Sequence, residues 1–504
     1  MILVVDFGSQ TAHLIGRRLR DLGVAHMYAD PENILADIKT HKPTGVIFSG
    51  GPASVYDKGA PTITKKVFDQ NLPILGICYG WQLMAKLLGG DVRSAMKEYG
   101  PQMISLKANK LVRLPKKTFT VIMSHGDSVV KLPKGFTVVG STKSVRFAAV
   151  QDTSSKLFGI QFHPEAFHTT YGKEVLRSFA QNICKEKIHP FTIKVDEIVE
   201  SIRTQVGKGK VLCAVSGGGD STVAAALITK AIGKRCIPVY VESGLMRRGT
   251  LELVRSIFTK QFHSTLSVIH AEKLFLHRLK GVTDPEQKRK IIGKLYVDLF
   301  EKEAKKYKGI THLGQGTIYS DVIESKGSKK ASHIKSHHNV GGLPKNMKFS
   351  LIEPVRMYYK DEVRAIGLMM KLPKEIVIQH PFPGPGYAVR IRGEVTSSRL
   401  EQEKIADDIV VAELRAAKLY ENLFQCFAVM SGAFSTAVKG DARAFAEVVA
   451  VRAYESNDVM TSQWANIPYE VMQRISTRIV NEVPNVSRVV YDVTTKPPAT
   501  MEWE

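Results

Sequence analysis

No apolar run in the 504-residue chain approaches the roughly 20 residues that a membrane-spanning helix needs. The chain opens Met1-Ile2-Leu3-Val4-Val5, which reads as a first strand. It lacks a basic start and is too short for a secretory leader, so a cytoplasmic location and no membrane partner are expected. Cysteine is scarce: Cys78, Cys184, Cys213, Cys236 and Cys426 are scattered, odd in number and without C-x-x-C spacing. That argues against a disulfide framework or a structural zinc site. Acidic residues are few, with 48 Asp and Glu against 71 Lys and Arg, for a net charge of +23. Such an excess suits nucleic-acid binding, but no basic run interleaved with aromatics stands out. A lysine-rich solvated surface with phosphate sites is the reading, and no nucleic-acid partner is expected. The composition, 44% hydrophobic and 24% charged, is that of a globular chain. The length suggests about three domains.

What is present centres on Val211–Lys230. Val211 to Val215 is an apolar run bounded by turn chemistry and reads as a buried strand. Ser216-Gly217-Gly218-Gly219-Asp220-Ser221 is too rich in glycine for helix or strand. Thr222 to Ile232 has helical composition, with Ser221 or Thr222 as the expected N-cap. A strand, a glycine loop and a helix N-terminus together form an anion site, because backbone N–H groups and the helix dipole both favour negative charge. The spacing fits neither a Walker loop nor a dinucleotide fingerprint.

Upstream, Ile2–Asp6, Gly45–Phe48 and Pro73–Ile77 read as strands and Thr11–Leu22 as a helix. This alternation predicts a mostly parallel α/β sheet. The stretch Gly76-Ile77-Cys78-Tyr79-Gly80-Trp81-Gln82 puts Cys78 on a sharp strand-to-helix turn. That is nucleophile-elbow geometry, with a thiol exposed at a helix N-terminus. A late strand, Gly159–Phe162, ends in His163-Pro164-Glu165. Pro164 disfavours helix at His163, so His163 is available as base and Glu165 as its orienter.

The glycine loop resembles the S-G-G-x-D-S pyrophosphate loop of the ATP pyrophosphatases, which adenylate their substrates. The G-I-C-Y-G-x-Q and F-H-P-E stretches resemble the class I glutamine amidotransferases. That resemblance implies a Cys78–His163–Glu165 triad releasing ammonia from glutamine. It implies an oxyanion hole from N–H groups near Gly51 and at Tyr79, with Gln82 and His125 of Ser124-His125-Gly126-Asp127 near the glutamine. A plain turn histidine is the other reading of His125.

Three further stretches are similar to segments of the glutamine-hydrolysing GMP synthetases. They are Asp284–Gly293, Leu313–Ser325 with Ile334–Asn339, and the tail Lys496–Glu504. The connector His380–Gly386, H-P-F-P-G-P-G, matches as well. The resemblance implies that Ser216, Gly217, Gly218, Gly219, Asp220, Ser221, Thr222 and Lys335 contact ATP. Asp321 and Glu324 would be lid carboxylates, and Arg289, Asp441, Lys496 and Glu502 would meet xanthosine 5′-monophosphate (XMP). No all-protein metal cage is expected. Mg²⁺ would ride on the ATP phosphates, with Asp220 as its protein contact. The implied architecture is α/β: an amidotransferase domain over 1–188, a doubly wound ATP-pyrophosphatase domain over 189–380, and a smaller α+β dimerisation and XMP domain over 381–504.

The chain departs from that pattern at Trp81 (usually methionine), Gly219 (valine), Glu242-Ser243 (D-N), Ser320 (proline), Tyr387 (leucine) and across Ser431–Val438. The expected chemistry is glutamine- and ATP-dependent amination of XMP to GMP, by a homodimer. A tRNA-modifying or amidating adenylating enzyme, a synthetase-impaired divergent member and a non-catalytic relative remain open alternatives.

Overall fold

The computed structural model describes residues 1–9, 11–107, 109, 111, 116–154, 156–166, 168–189, 191–319, 321–322, 349–439, 442–456, 462–496 and 498–504. The chain forms two compact units, Met1–Thr192 and Ile193–Glu504.

The first unit is built on a nine-stranded sheet. His26–Ala29, Ile2–Val5, Gly45–Phe48, Ile74–Ile77 and Leu157–Ile160 run parallel, in that spatial order. Ala149–Asp152, Phe136–Ser141, Asp91–Leu106 and Thr118–Lys131 extend it antiparallel. Half of the pairings are therefore antiparallel, a correction to the mostly parallel sheet expected. Ile2–Val5, Gly45–Phe48 and Ile74–Ile77 are buried on both faces, which makes them legible. Ile2 and Val4 join one core with Ala12, Ile15 and Leu19 of helix Thr11–Asp21. Leu3 and Val5 join the other, with Trp81, Leu83 and Met84 of helix Tyr79–Leu87. The strand Thr118–Lys131 alternates exposed and buried residues instead, as a half-solvated antiparallel strand should.

The second unit carries a five-stranded parallel sheet. Its spatial order is Ser267–His270, Cys236–Glu242, Lys210–Ala214, Ile310–Gly314, Ser350–Ile352. Building starts at the centre with Lys210–Ala214 and reverses direction there, which is the doubly wound pattern. The crevice at that switch point, outside the carboxyl ends of the strands, is where such sheets bind ligands. A four-stranded sheet follows, of Gln425–Lys439, Ala442–Glu455, Gln463–Trp464 and Val486–Tyr491. Helices Ser397–Ala416 and Tyr469–Glu482 supply Ile409, Leu414, Ile475 and Ile479 to a core that also holds Leu212, Val239 and Val449. The two sheets of this unit thus share one apolar interior.

The helix after the glycine loop spans Gly219–Ile232, with Gly218 as N-cap. This corrects the expected cap at Ser221 or Thr222. Both hydroxyls turn back onto the Gly218 carbonyl, at 3.2 and 2.9 Å. They satisfy an acceptor inside the first turn instead of capping free N–H groups.

Candidate functional site

Cys78 has φ +50° and ψ −108°. A non-glycine residue in this region is strained, and such strain persists only where the surroundings hold it. Here the Cys78 N–H donates to Ile160 O at 2.8 Å, and the Gln82 N–H donates to Cys78 O at 3.0 Å. Gly76 makes the turn possible, because a Cβ there would lie 2.8 Å from the Trp81 backbone. The Trp81 ring is fully buried, packed on Gly159 and 5.7 Å from the Phe136 ring. The unusual residue at 81 therefore fills the core behind the nucleophile.

His163 Nδ1 lies 2.6 Å from Glu165 Oε1, with Glu165 buried. Burial opposes charge on His163. The Glu165 carboxylate and the hydrogen-bonded Cys78 outweigh it and hold the imidazole pKa well above its ordinary value. The structure brings Cys78, His163 and Glu165 together in one place. Gly50 backs onto the His163 ring and Gly51 onto the Tyr79 ring. Tyr79 opens helix Tyr79–Leu87, whose first N–H groups have no intrahelical acceptor. Gln82 Nε2 donates to Asp127 O at 2.7 Å. His125 sits within strand Thr118–Lys131, buried, with its ring toward Glu98. It is neither a turn histidine nor exposed.

In the second unit a cavity of about 310 Å³ opens at the switch point of the parallel sheet. Ser216, Asp220, Ser221, Asp321 and Arg289 all line it. The Ser216 N–H donates to Ser221 Oγ at 3.1 Å and the two hydroxyls meet at 2.9 Å, which ties the loop's ends together. Gly217 takes φ +84° at the apex. Asp220 pairs with Lys360 at 2.6 Å. Asp321 accepts from the Ile318 N–H at 3.0 Å. Tyr296 and Phe300 supply an aromatic wall, and the Tyr296 hydroxyl is held 3.1 Å from Ser243 Oγ. The departure at Ser243 is thereby partnered.

Lys496 and Glu502 are not among the lining residues of this cavity. Glu502 instead receives a two-pronged ion pair from buried Arg390, at 3.0 and 3.1 Å, and a hydrogen bond from Gln425 at 2.7 Å. Lys496 exchanges backbone hydrogen bonds with Ser462. The tail instead meets helix Pro285–Ala304 through Glu504, whose side chain accepts from Lys288 at 2.5 Å and whose backbone oxygen accepts from Arg289, a lining residue of the cavity. Glu324, Lys335 and Asp441 lie outside the described residues.

Residues 3–183 match the family Glutamine amidotransferase class-I, and residues 412–503 match GMP synthase C terminal domain. The chain is 50% identical to the glutamine-hydrolysing GMP synthase of Geobacillus kaustophilus, over 100% of this chain and 99% of that one. It is 49% identical to that of Symbiobacterium thermophilum at 100% and 99% coverage, and 47% to that of Staphylococcus carnosus at 100% and 98%. The chain belongs to the GMP synthase family.

Within this GMP synthase fold, several residues beside the two sites escape a sequence reading. Gln161 Nε2 lies 3.7 Å from Cys78 Sγ, and Ser124 O lies 3.6 Å from it. Arg18 Nε donates to Glu165 O at 3.1 Å. Lys360 is distant in sequence from the glycine loop it pairs with. Asp407 accepts from Arg247, Arg390 and the Tyr387 hydroxyl at 3.2, 3.5 and 3.0 Å. Two signals were available. Gln161 is a polar residue within the apolar stretch Gly159–Phe162, just past the strand Leu157–Ile160, and Tyr387 is a departure from the usual connector. Lys360 and Arg18 gave none, since each is one of many surface cations by composition.

Proposed function

We infer that this chain catalyses glutamine-dependent synthesis of GMP, the reading that family membership and the two chemically distinct sites support together. At the first site Cys78 attacks the side-chain amide carbon of glutamine. His163, held protonated beside Glu165, delivers a proton to the departing nitrogen, so ammonia leaves and a thioester remains. Water then releases glutamate. The carbonyl oxygen becomes anionic in each half, and N–H groups at Gly51 and Tyr79 are the donors proposed for it. At the second site the XMP O2 attacks the α-phosphorus of ATP. Pyrophosphate departs from the Ser216–Thr222 loop, ammonia adds at C2, and AMP leaves with the oxygen. Arg289, on the cavity wall, is the cation proposed to face the XMP nucleotide. Lys335, Glu324, Asp441, Lys496 and Glu502 keep the roles that the resemblance implies.

Mg²⁺ fits this cavity, because Asp220, Asp321, Ser216 and Ser221 are hard oxygen donors among its lining residues. Bound there with ATP, it would neutralise phosphate charge. The single observation that carries the reading is the Cys78–His163–Glu165 triad on a strained elbow, in a chain that also holds a pyrophosphate-type loop at a sheet switch point. None of the relatives named above is an RNA-modifying enzyme, and no observation favours that alternative. The dimer is proposed to form through the C-terminal sheet, whose hairpin carries exposed Phe434, Val438 and Phe445. The test supplies XMP, Mg-ATP and glutamine and follows GMP by chromatography. Cys78→Ala is expected to abolish glutamine-dependent GMP formation and to spare the ammonium-dependent rate. No GMP from the parent with either nitrogen source would overturn the reading.

A further inference from the structure

Glu98 is a carboxylate buried inside a β-strand, where an ionisable group is costly unless it is partnered. Its strand, Asp91–Leu106, pairs antiparallel with Thr118–Lys131, and Glu98 stands directly opposite His125. The register between the two strands shifts between Ser94 and Glu98. Bulges of this kind re-aim a side chain and gather beside active sites. One carboxylate oxygen accepts from Ser144 and, at 3.4 Å, from the Thr142 hydroxyl. The other faces His125 Nε2 at 3.6 Å, and neither of these two facing atoms has a hydrogen-bond partner.

His125 Nδ1 lies 3.3 Å from the Ser128 hydroxyl. A hydroxyl donating there leaves the ring proton on Nε2, directed at Glu98. Burial draws the His125 pKa down against the pull of Glu98, and the charge of His163 draws it down further, so this pair lies within electrostatic reach of the triad. The segment that His125 belongs to touches the nucleophile's machinery at both ends. Ser124 O faces the Cys78 thiol, and Asp127 O holds the Gln82 amide.

We propose that Glu98 is a positioning residue of the glutaminase site: anchored by Ser144 and Thr142, it fixes His125 and so holds the Ser124–Asp127 segment against Cys78 and Gln82 in the geometry that receives glutamine. Glu98 touches neither Cys78 nor the triad. Its effect falls on how glutamine is seated and not on the bond-breaking groups. The proposal rests on the glutaminase reading given above, and it assigns that site a residue which neither the elbow nor the F-H-P-E stretch includes.

Glu98→Gln keeps the shape and one acceptor and removes the charge. It is expected to raise the glutamine KM on the order of tenfold with kcat little changed, because misplaced ground-state contacts act on binding. The ammonium-dependent rate of GMP formation in the same preparation should match the parent. Ser144→Ala, which loosens Glu98 from behind, should give a smaller rise of the same kind. The double variant should show less than the product of the two effects, since both act through one side chain. An unchanged glutamine KM in Glu98→Gln overturns the proposal, as does an equal loss of the ammonium-dependent rate. If Glu98→Gln does not fold, Ser144→Ala decides: a raised glutamine KM with a normal ammonium-dependent rate supports the proposal, and a parental KM overturns it. Cys78→Ala sets the zero. A parent that releases no more ammonia than Cys78→Ala would remove the glutaminase reading itself, which separates that failure from the failure of Glu98 alone.

Discussion

His163 and Glu165 are two residues apart in the chain, and the imidazole Nδ1 lies 2.6 Å from the carboxylate. This short link orients the ring and keeps its proton. Glu165→Gln is expected to leave the orientation largely in place and to withdraw the charge. A fall in glutaminase kcat of roughly 10²- to 10⁴-fold is expected, the range of a positioned acid–base group. The pH dependence has a definite sign. His163 has its pKa raised in the folded chain, so its contribution to stability is fully present below the unfolded histidine pKa of about 6.5 and is lost as pH rises through the folded value. The stability gap between parent and Glu165→Gln in urea melts should therefore be widest in mildly acidic buffer and narrow on the alkaline side. A gap that widens with pH would contradict this assignment.

Lys360 opens helix Lys360–Met369. A cation in the first turn of a helix works against the helix dipole. Its placement is explained by Asp220, 2.6 Å away at the end of the glycine loop. Lys360→Met is expected to slow ammonium-dependent GMP formation on the order of 10²-fold, the scale of losing one preorganised charge at a reacting centre. Glutaminase activity, measured as glutamate release, should stay at the parental level. Equal GMP rates in parent and variant would show that the pair only neutralises Asp220.

The parts of the fold that the sequence reveals are those where local pattern and tertiary role agree. Val211–Val215 reads as a strand without help from its neighbours, and Val211, Leu212 and Cys213 are fully buried in the strand Lys210–Ala214. Cys78 directly follows one such strand and His163 lies just past another, so the turns that bracket them set where these two buried side chains stand. Glu98 and Lys360 are different. Each is a single charged residue whose partner lies in a distant element, and no spacing along the chain predicts a cross-strand register or a loop–helix ion pair. Glu502 illustrates the converse. The tail motif is conspicuous, yet its carboxylate is engaged by Arg390 and Gln425, a pairing visible only once the connector and the C-terminal sheet are folded together.

Gly219 is the first residue of its helix and not the third link of a loose loop. Its φ lies outside the left-handed region, so the glycine contributes chain entropy rather than required geometry. Gly219→Ala is expected to stabilise the unit by about 0.5–1 kcal/mol. A Cβ would lie 3.1 Å from Ile376 O, which calls for a shift of a few tenths of an ångström. The ATP KM should be equal or lower in the variant. A raised ATP KM would mean that the Ile376 contact is rigid and that the extra glycine is needed for fit.

Phe434 and Phe445 stack at 5.6 Å on adjacent strands of the C-terminal hairpin, and both remain more than half exposed, at 54% and 74%. Val438, at 74%, extends the same apolar surface. Strands Gln425–Lys439 and Ala442–Glu455 are paired, so the stack is a cross-strand contact that orders the hairpin. An ordered, unpolar sheet face is ready-made for association. Phe434→Ser with Phe445→Ser is therefore expected to convert a dimer into a monomer by light scattering, at concentrations where the parent is dimeric. Glutamate release should persist, because the triad belongs to the other compact unit. A parent that is monomeric, or a doubly substituted chain that stays dimeric, would place the subunit contact elsewhere and leave this aromatic pair as a brace of the hairpin alone.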